Sequence, residues 1–233
     1  PEGFGIPVMS NEPFSLTTQV LNHNLKNPNI QVRHMVTVDF SRDKDLPQPL
    51  KPLFPTSAFV MASLDDKDHL YGIAEPTERQ KHATCLPGLH APNATTTGIY
   101  KDSAGKSFSG HWVVKPGREV RHTLANPLMN LPFDTTIHFI AIHLHPFAES
   151  LELRDLTTGE TLFKSHAKGP EEGIGLAQVD YYANKEGIPV YKNHDYELVS
   201  VYNNTTGVDQ DAMATMFFYM LDKEFKIPIS FEN

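Results

Sequence analysis

Short runs rich in Val, Ile, Phe, Tyr and Thr recur along the whole chain, broken every few residues by proline, glycine or small polar residues. Runs of that length and composition predict strands, and no stretch holds a 3.6-residue period long enough to predict a long helix. The pattern places strands at Ser15–His23, Gln31–Asp39, Ala58–Ser63, His69–Ile73, Ser107–Val114, Arg118–Leu124 and Thr136–His145. Further strands are expected at Ser150–Asp155, Thr161–Ser165, Tyr196–Asn203 and Ala214–Leu221. Many short strands with frequent turn residues predict an all-β fold, an antiparallel β-sandwich of jelly-roll type.

The punctuation has positional meaning. Leu46–Pro55 holds four prolines in ten residues; proline lacks the ladder donor, so this segment is expected outside any sheet interior, crossing from an N-terminal piece to the main body. From about residue 75 to 106 the chain turns polar and reads as a long surface excursion. Val114–Arg118 and Leu156–Glu160 read as tight turns, in which Gly117 and Gly159 suit a positive φ.

One run carries chemistry. Thr136–Pro146 reads as a buried strand that ends by presenting His143 and His145. Side chains two apart in a strand share a face and stand roughly 6–7 Å apart, so two imidazoles can converge on one metal ion. About seventy residues downstream, a loop at 204–211 leads into Ala212-Met213-Ala214-Thr215-Met216-Phe217-Phe218-Tyr219-Met220. Met216 and Met220 read as core filling. Met213 sits at the junction of loop and strand, where a side chain reaches a site at the sheet edge. A thioether is a soft ligand that suits copper, Cu(I) above all, so two His and one Met point to copper that is reduced part of the time.

Composition narrows the rest. The 233 residues, 39% of them hydrophobic, suffice for one large all-β domain or two smaller ones. Net charge is −8 with no Lys/Arg cluster, which argues against nucleic acid as a partner. No apolar run reaches the ~18–20 residues of a membrane helix. The lone cysteine, Cys85, permits no internal disulfide but leaves pairing with another chain open. Pro1 stands where Met would begin a nascent chain, the mark expected of a processed or trimmed product. Asn93, Asn203 and Asn204 begin N-glycosylation sequons.

Gly110–Val120, the H-x-H strand, Leu151–Lys164 with its turn, Asp195–Asn203 and Asp211-Ala212-Met213 together resemble the second domain of the copper type II, ascorbate-dependent monooxygenases. These are the peptidylglycine α-hydroxylating monooxygenase and dopamine β-hydroxylase group. The resemblance implies that His143, His145 and Met213 bind the copper at which oxygen reacts. It further implies hydroxylation of a C–H bond in a small-molecule or peptide substrate, with ascorbate as reductant. Pro1–Pro7 and Leu16–Asn24 are similar to the end of the family's first domain, where His23 matches a ligand of a second, electron-transferring copper site. On this reading residues 1–56 are a remnant of a preceding β-sandwich, and residues 57–233 are the copper-binding sandwich. An extracytoplasmic location (secreted, periplasmic or at the cell surface) goes with it.

The chain departs from the family in lacking any His-His dipeptide, which the electron-transfer copper uses, and in lacking the family's disulfides. A partner chain is one source for the missing half; a non-catalytic copper-binding, structural or surface-assembly sandwich is the alternative. Among the other histidines, His111 is a candidate outer hydrogen-bond partner for a bound imidazole. His138 falls on the strand face opposite His143 by alternation and reads as a satisfied core or interface residue; His34 reads as packed between Val32 and Val36. His122, His166 and His194 read as surface residues. His82, Cys85 and His90 form a lesser candidate metal or disulfide loop. Glu171-Glu172 reads as a solvated turn.

Overall fold

The computed structural model describes residues 1–16, 18, 24, 26, 31–64 and 99–226. Its strands are β1 (Phe4–Gly5), β2 (Lys51–Phe59), β3 (Ala62–Ser63), β4 (Ile99–Lys101), β5 (Ser107–Ser109), β6 (His111–Val114) and β7 (Gly117–Leu124). They continue with β8 (Thr135–Leu144), β9 (Ala148–Asp155), β10 (Glu160–Lys168), β11 (Gln178–Val179), β12 (Tyr182–Val190), β13 (Tyr196–Asn204) and β14 (Gln210–Leu221). Besides a 3-10 turn at Asp43–Asp45, a short helix, α1 (Asn126–Met129), carries Pro127 in its first turn, where a missing N–H costs nothing.

The fold is all-β, two layers packed as a sandwich and antiparallel throughout except where β1 pairs β2. The first layer runs β1-β2-β14-β8-β12, with β6 pairing the start of β14; the second runs β11-β10-β9-β13-β7. A small third sheet, β3-β5-β4, lies beside them. The core is the space between the layers. Ile137, Ile140, Leu144, Met216, Phe218 and Met220 enter it from the first, and Leu151, Leu153, Leu198 and Tyr202 from the second. Met216 and Met220 are fully buried, as the sequence suggests. Each such apolar side chain contributes roughly 1.5–3 kcal/mol by leaving water.

β14 is the axis of the first layer. β8 pairs it from Ala214 to Met220, β2 pairs it from Thr215 to Leu221, and β6 takes over from β2 along Gln210–Met213. The expected turns are present, with Gly117 at φ 111° and Gly159 at φ 78°. The first carries the chain from β6 in one layer to β7 in the other.

Three expectations need correction. Gln31–Asp39 forms no strand: Val32 and Val36 are about half exposed, so His34 is not packed in a core between them. Its strand-forming residues have no pairing partner among the described residues, and propensity without a ladder makes no strand. The proline-rich crossing ends inside a strand, since β2 starts at Lys51 and includes Pro52 and Pro55. That is tolerated because, among the described residues, β2 has only the two-residue β1 on its outer side, and Pro55 has no ladder partner there. The excursion at 75–106 closes earlier than expected, with Ile99–Lys101 already paired to β5. His69–Ile73 and most of the excursion lie outside the described residues.

Candidate metal centre

Three neighbouring strands place the site. In β14 the even positions Ala212, Ala214 and Met216 enter the hydrophobic core, so Asp211, Met213 and Thr215 take the opposite face. Directly opposite residues of an antiparallel pair share a face. Thr215 is opposite His143 in β8, and Met213 is opposite His111 in β6. His145 lies one residue past the end of β8, yet its backbone N–H still bonds the Met213 carbonyl at 3.2 Å. Met213 thus lies between His111 on one flank and His145 on the other.

Side chains of four of these residues are in contact. The His143 and His145 ring centres are 5.3 Å apart, and the His111 and His145 centres also 5.3 Å. Asp211 joins two of the rings: its Oδ1 lies 3.2 Å from Nδ1 of His111, and its Oδ2 lies 3.1 Å from Nδ1 of His145. One potential ligand atom from each of His111, His145 and Asp211 falls within 4.8 Å of the other two. His145 and Met213 are buried, while His111, His143 and Asp211 are half-buried.

The electrostatics suit a cation. Burial works to raise the Asp211 carboxyl, but its hydrogen bonds to His111 and His145, and their charge, outweigh that and hold it at about 2. Burial, then the charges of His145 and His111, bring His143 down to about 4 against the opposing pull of Asp211. Near neutral pH the cluster therefore contains an ionised carboxylate and a neutral His143 imidazole. These are the forms in which each binds a metal.

The second layer braces this edge. The Tyr202 hydroxyl, on β13, donates to the Met213 carbonyl at 2.5 Å and accepts the His145 backbone N–H at 3.2 Å. Burial pushes that phenol upward, so it remains a donor. Trp112 packs edge-on against the Tyr202 ring at 5.4 Å and donates its indole N–H to Glu119.

The three residues read from the sequence as ligands, His143, His145 and Met213, lie on neighbouring strand positions at one sheet edge. His111 lies in direct contact with the cluster. Asp211 was not singled out by sequence reasoning; the signal was its position two residues before Met213, which gives it the same strand face. His23, like His82, Cys85 and His90, lies outside the described residues. His138 is a satisfied interior histidine, 3% exposed, bonded to Thr136 and the Asn184 carbonyl and packed on the Phe4 ring. The alternation argument for its face does not carry through, because a register shift at Tyr219/Met220 interrupts the β8 ladder beside it. His194 is not a plain surface residue: its Nδ1 bonds the buried Asp155 carboxylate at 2.7 Å. Asn204 is buried with its amide donating to Val114 and Val208, so that sequon is built into the fold.

No family model, curated protein or solved structure matches the chain.

Proposed function

We propose that this chain is a copper protein whose ion sits at the β6-β14-β8 edge, held by His143 and His145 with sulfur from Met213. The observation that carries this is the meeting of the H-x-H pair with residue 213 on one face of adjacent strands, although seventy residues separate them in the chain. The donor set fits the ion. Imidazoles suit either copper valence, the thioether favours Cu(I), and the carboxylate of Asp211 offsets charge in the oxidised state.

Bound copper would supply one-electron chemistry toward dioxygen, and the resemblance to the ascorbate-dependent monooxygenases suggests hydroxylation of a substrate C–H bond. The chain's own part is to keep His143 neutral, hold His145 through its backbone bond to Met213, and keep Met213 away from water. Metal analysis of the purified chain should give close to one copper. Met213→Ile should weaken Cu(I) retention more than Cu(II) retention; equal loss of both would remove the sulfur from the assignment.

The absence of any adjacent histidine pair in this chain favours a second reading, a copper-binding module without turnover. Oxygen uptake with ascorbate separates the two. A hydroxylated product supports the enzyme, and uptake without product supports the module.

A further inference from the structure

We infer that Asp211 is the positioning residue of this centre, that it turns Nε2 of His111 and His145 toward the ion, and that His111 is a third imidazole ligand. The inference rests on the copper reading above and adds a ligand and a clamp that the H-x-H and Met motif does not contain.

Asp211 engages the two rings one oxygen each, Oδ1 with His111 at 3.2 Å and Oδ2 with His145 at 3.1 Å, both at Nδ1. An imidazole that donates its Nδ1–H to a carboxylate keeps the lone pair on Nε2 for a metal. The outer bond fixes both tautomer and ring orientation. With each carboxylate oxygen already engaged by a ring N–H, a carboxylate ligated directly through one oxygen would share that oxygen between the ion and its imidazole.

The ring spacing agrees. Two imidazoles bound through ~2.0 Å bonds to a tetrahedral ion place their ring centres about 5 Å apart. His145 stands 5.3 Å from His111 and 5.3 Å from His143. The register explains why both neighbours reach it: His143 precedes it by two residues at the end of β8, and His111 faces it across Met213. The cation class that three imidazole ligands select is a borderline d-block ion, copper or zinc, rather than calcium or magnesium.

The test uses the full chain loaded with Cu(II), read by electron paramagnetic resonance, and with Cu(I), read by nitrogen NMR of labelled histidine. Three coupled imidazole nitrogens are expected, falling to two in His111→Ala, with Nδ1 protonated in His111 and His145. Asp211→Asn should keep the nitrogen count and lower affinity about 10–100-fold, with partial recovery in Asp211→Glu. Two nitrogens in the wild type, unchanged in His111→Ala, would overturn the inference and leave the copper site standing. So would an oxygen ligand that disappears in Asp211→Asn. A wild-type chain that takes up no stoichiometric copper overturns the functional reading together with the inference. Should Asp211→Asn fail to fold, the wild-type nitrogen count and the His111 variant still decide.

Discussion

Glu152, on the outer face of β9, gives the sharpest test of the electrostatics in the fold. Its carboxylate is 4% exposed and accepts from Arg154 Nε at 2.5 Å, Thr161 Oγ1 at 2.7 Å and Lys164 Nζ at 3.1 Å. Burial alone would raise this acid, but the three hydrogen bonds and the Lys164 charge prevail and hold it at about 2, against an ordinary 4.5. A carboxyl whose folded value lies below its unfolded value stabilises the fold above the unfolded value, here 4.5. That contribution fades as pH falls toward 2. At about 1.4 kcal/mol per pKa unit the shift is worth roughly 3 kcal/mol. Arg154 and Lys164 are each about 40% exposed, and screening by water trims this to roughly 2 kcal/mol. Urea unfolding of wild type and Glu152→Gln should therefore show the variant less stable by about that amount at pH 6–7, with the gap closing toward pH 2. Other carboxylates titrate equally in both proteins and cancel in the difference. A gap that stays constant between pH 6 and pH 2 would refute the assigned role.

Other expectations are as direct. Tyr202→Phe removes a buried hydroxyl that both donates and accepts, and thermal melting should show a loss of about 1–2 kcal/mol; an unchanged melt would mean the two bonds contribute nothing. Thr215 is fully buried, and its hydroxyl has no hydrogen-bond partner among the described residues, so the isosteric Thr215→Val should match or exceed wild-type stability by about 1 kcal/mol. A marked loss of stability there would reveal a bond to that hydroxyl. Gly187 holds φ 76°, and a Cβ built there would lie 2.7 Å from Cε1 of His138; Gly187→Ala should cost about 1–3 kcal/mol in chemical denaturation.

How much was legible depended on whether a residue's role is set by its own strand or by a neighbour's. The H-x-H strand, the burial of Met216 and Met220 and the turns at Gly117 and Gly159 follow from periodicity and local backbone demands, and the structure has them all. β12 was not legible. It is an edge strand, mostly exposed, interrupted by Gly187 and Pro189 and by a register shift between Ala183 and Ile188, so no apolar rhythm marks it. Gln31–Asp39 erred the other way, carrying strand residues with nothing among the described residues to pair with them. Asp211, and the direct contact of His111 with the cluster, needed the knowledge that β6 and β8 both adjoin the start of β14. That is a fact of topology, and no window of sequence contains it.

The Tyr202 hydroxyl has one root in each layer of the sandwich, and its grip falls on the two backbone groups that seat residues 145 and 213. Prising the layers apart must tug on both seats at once. On the copper reading, ion release would be tied to loosening of the sandwich, and a chelator would strip the loaded chain faster in Tyr202→Phe than in wild type.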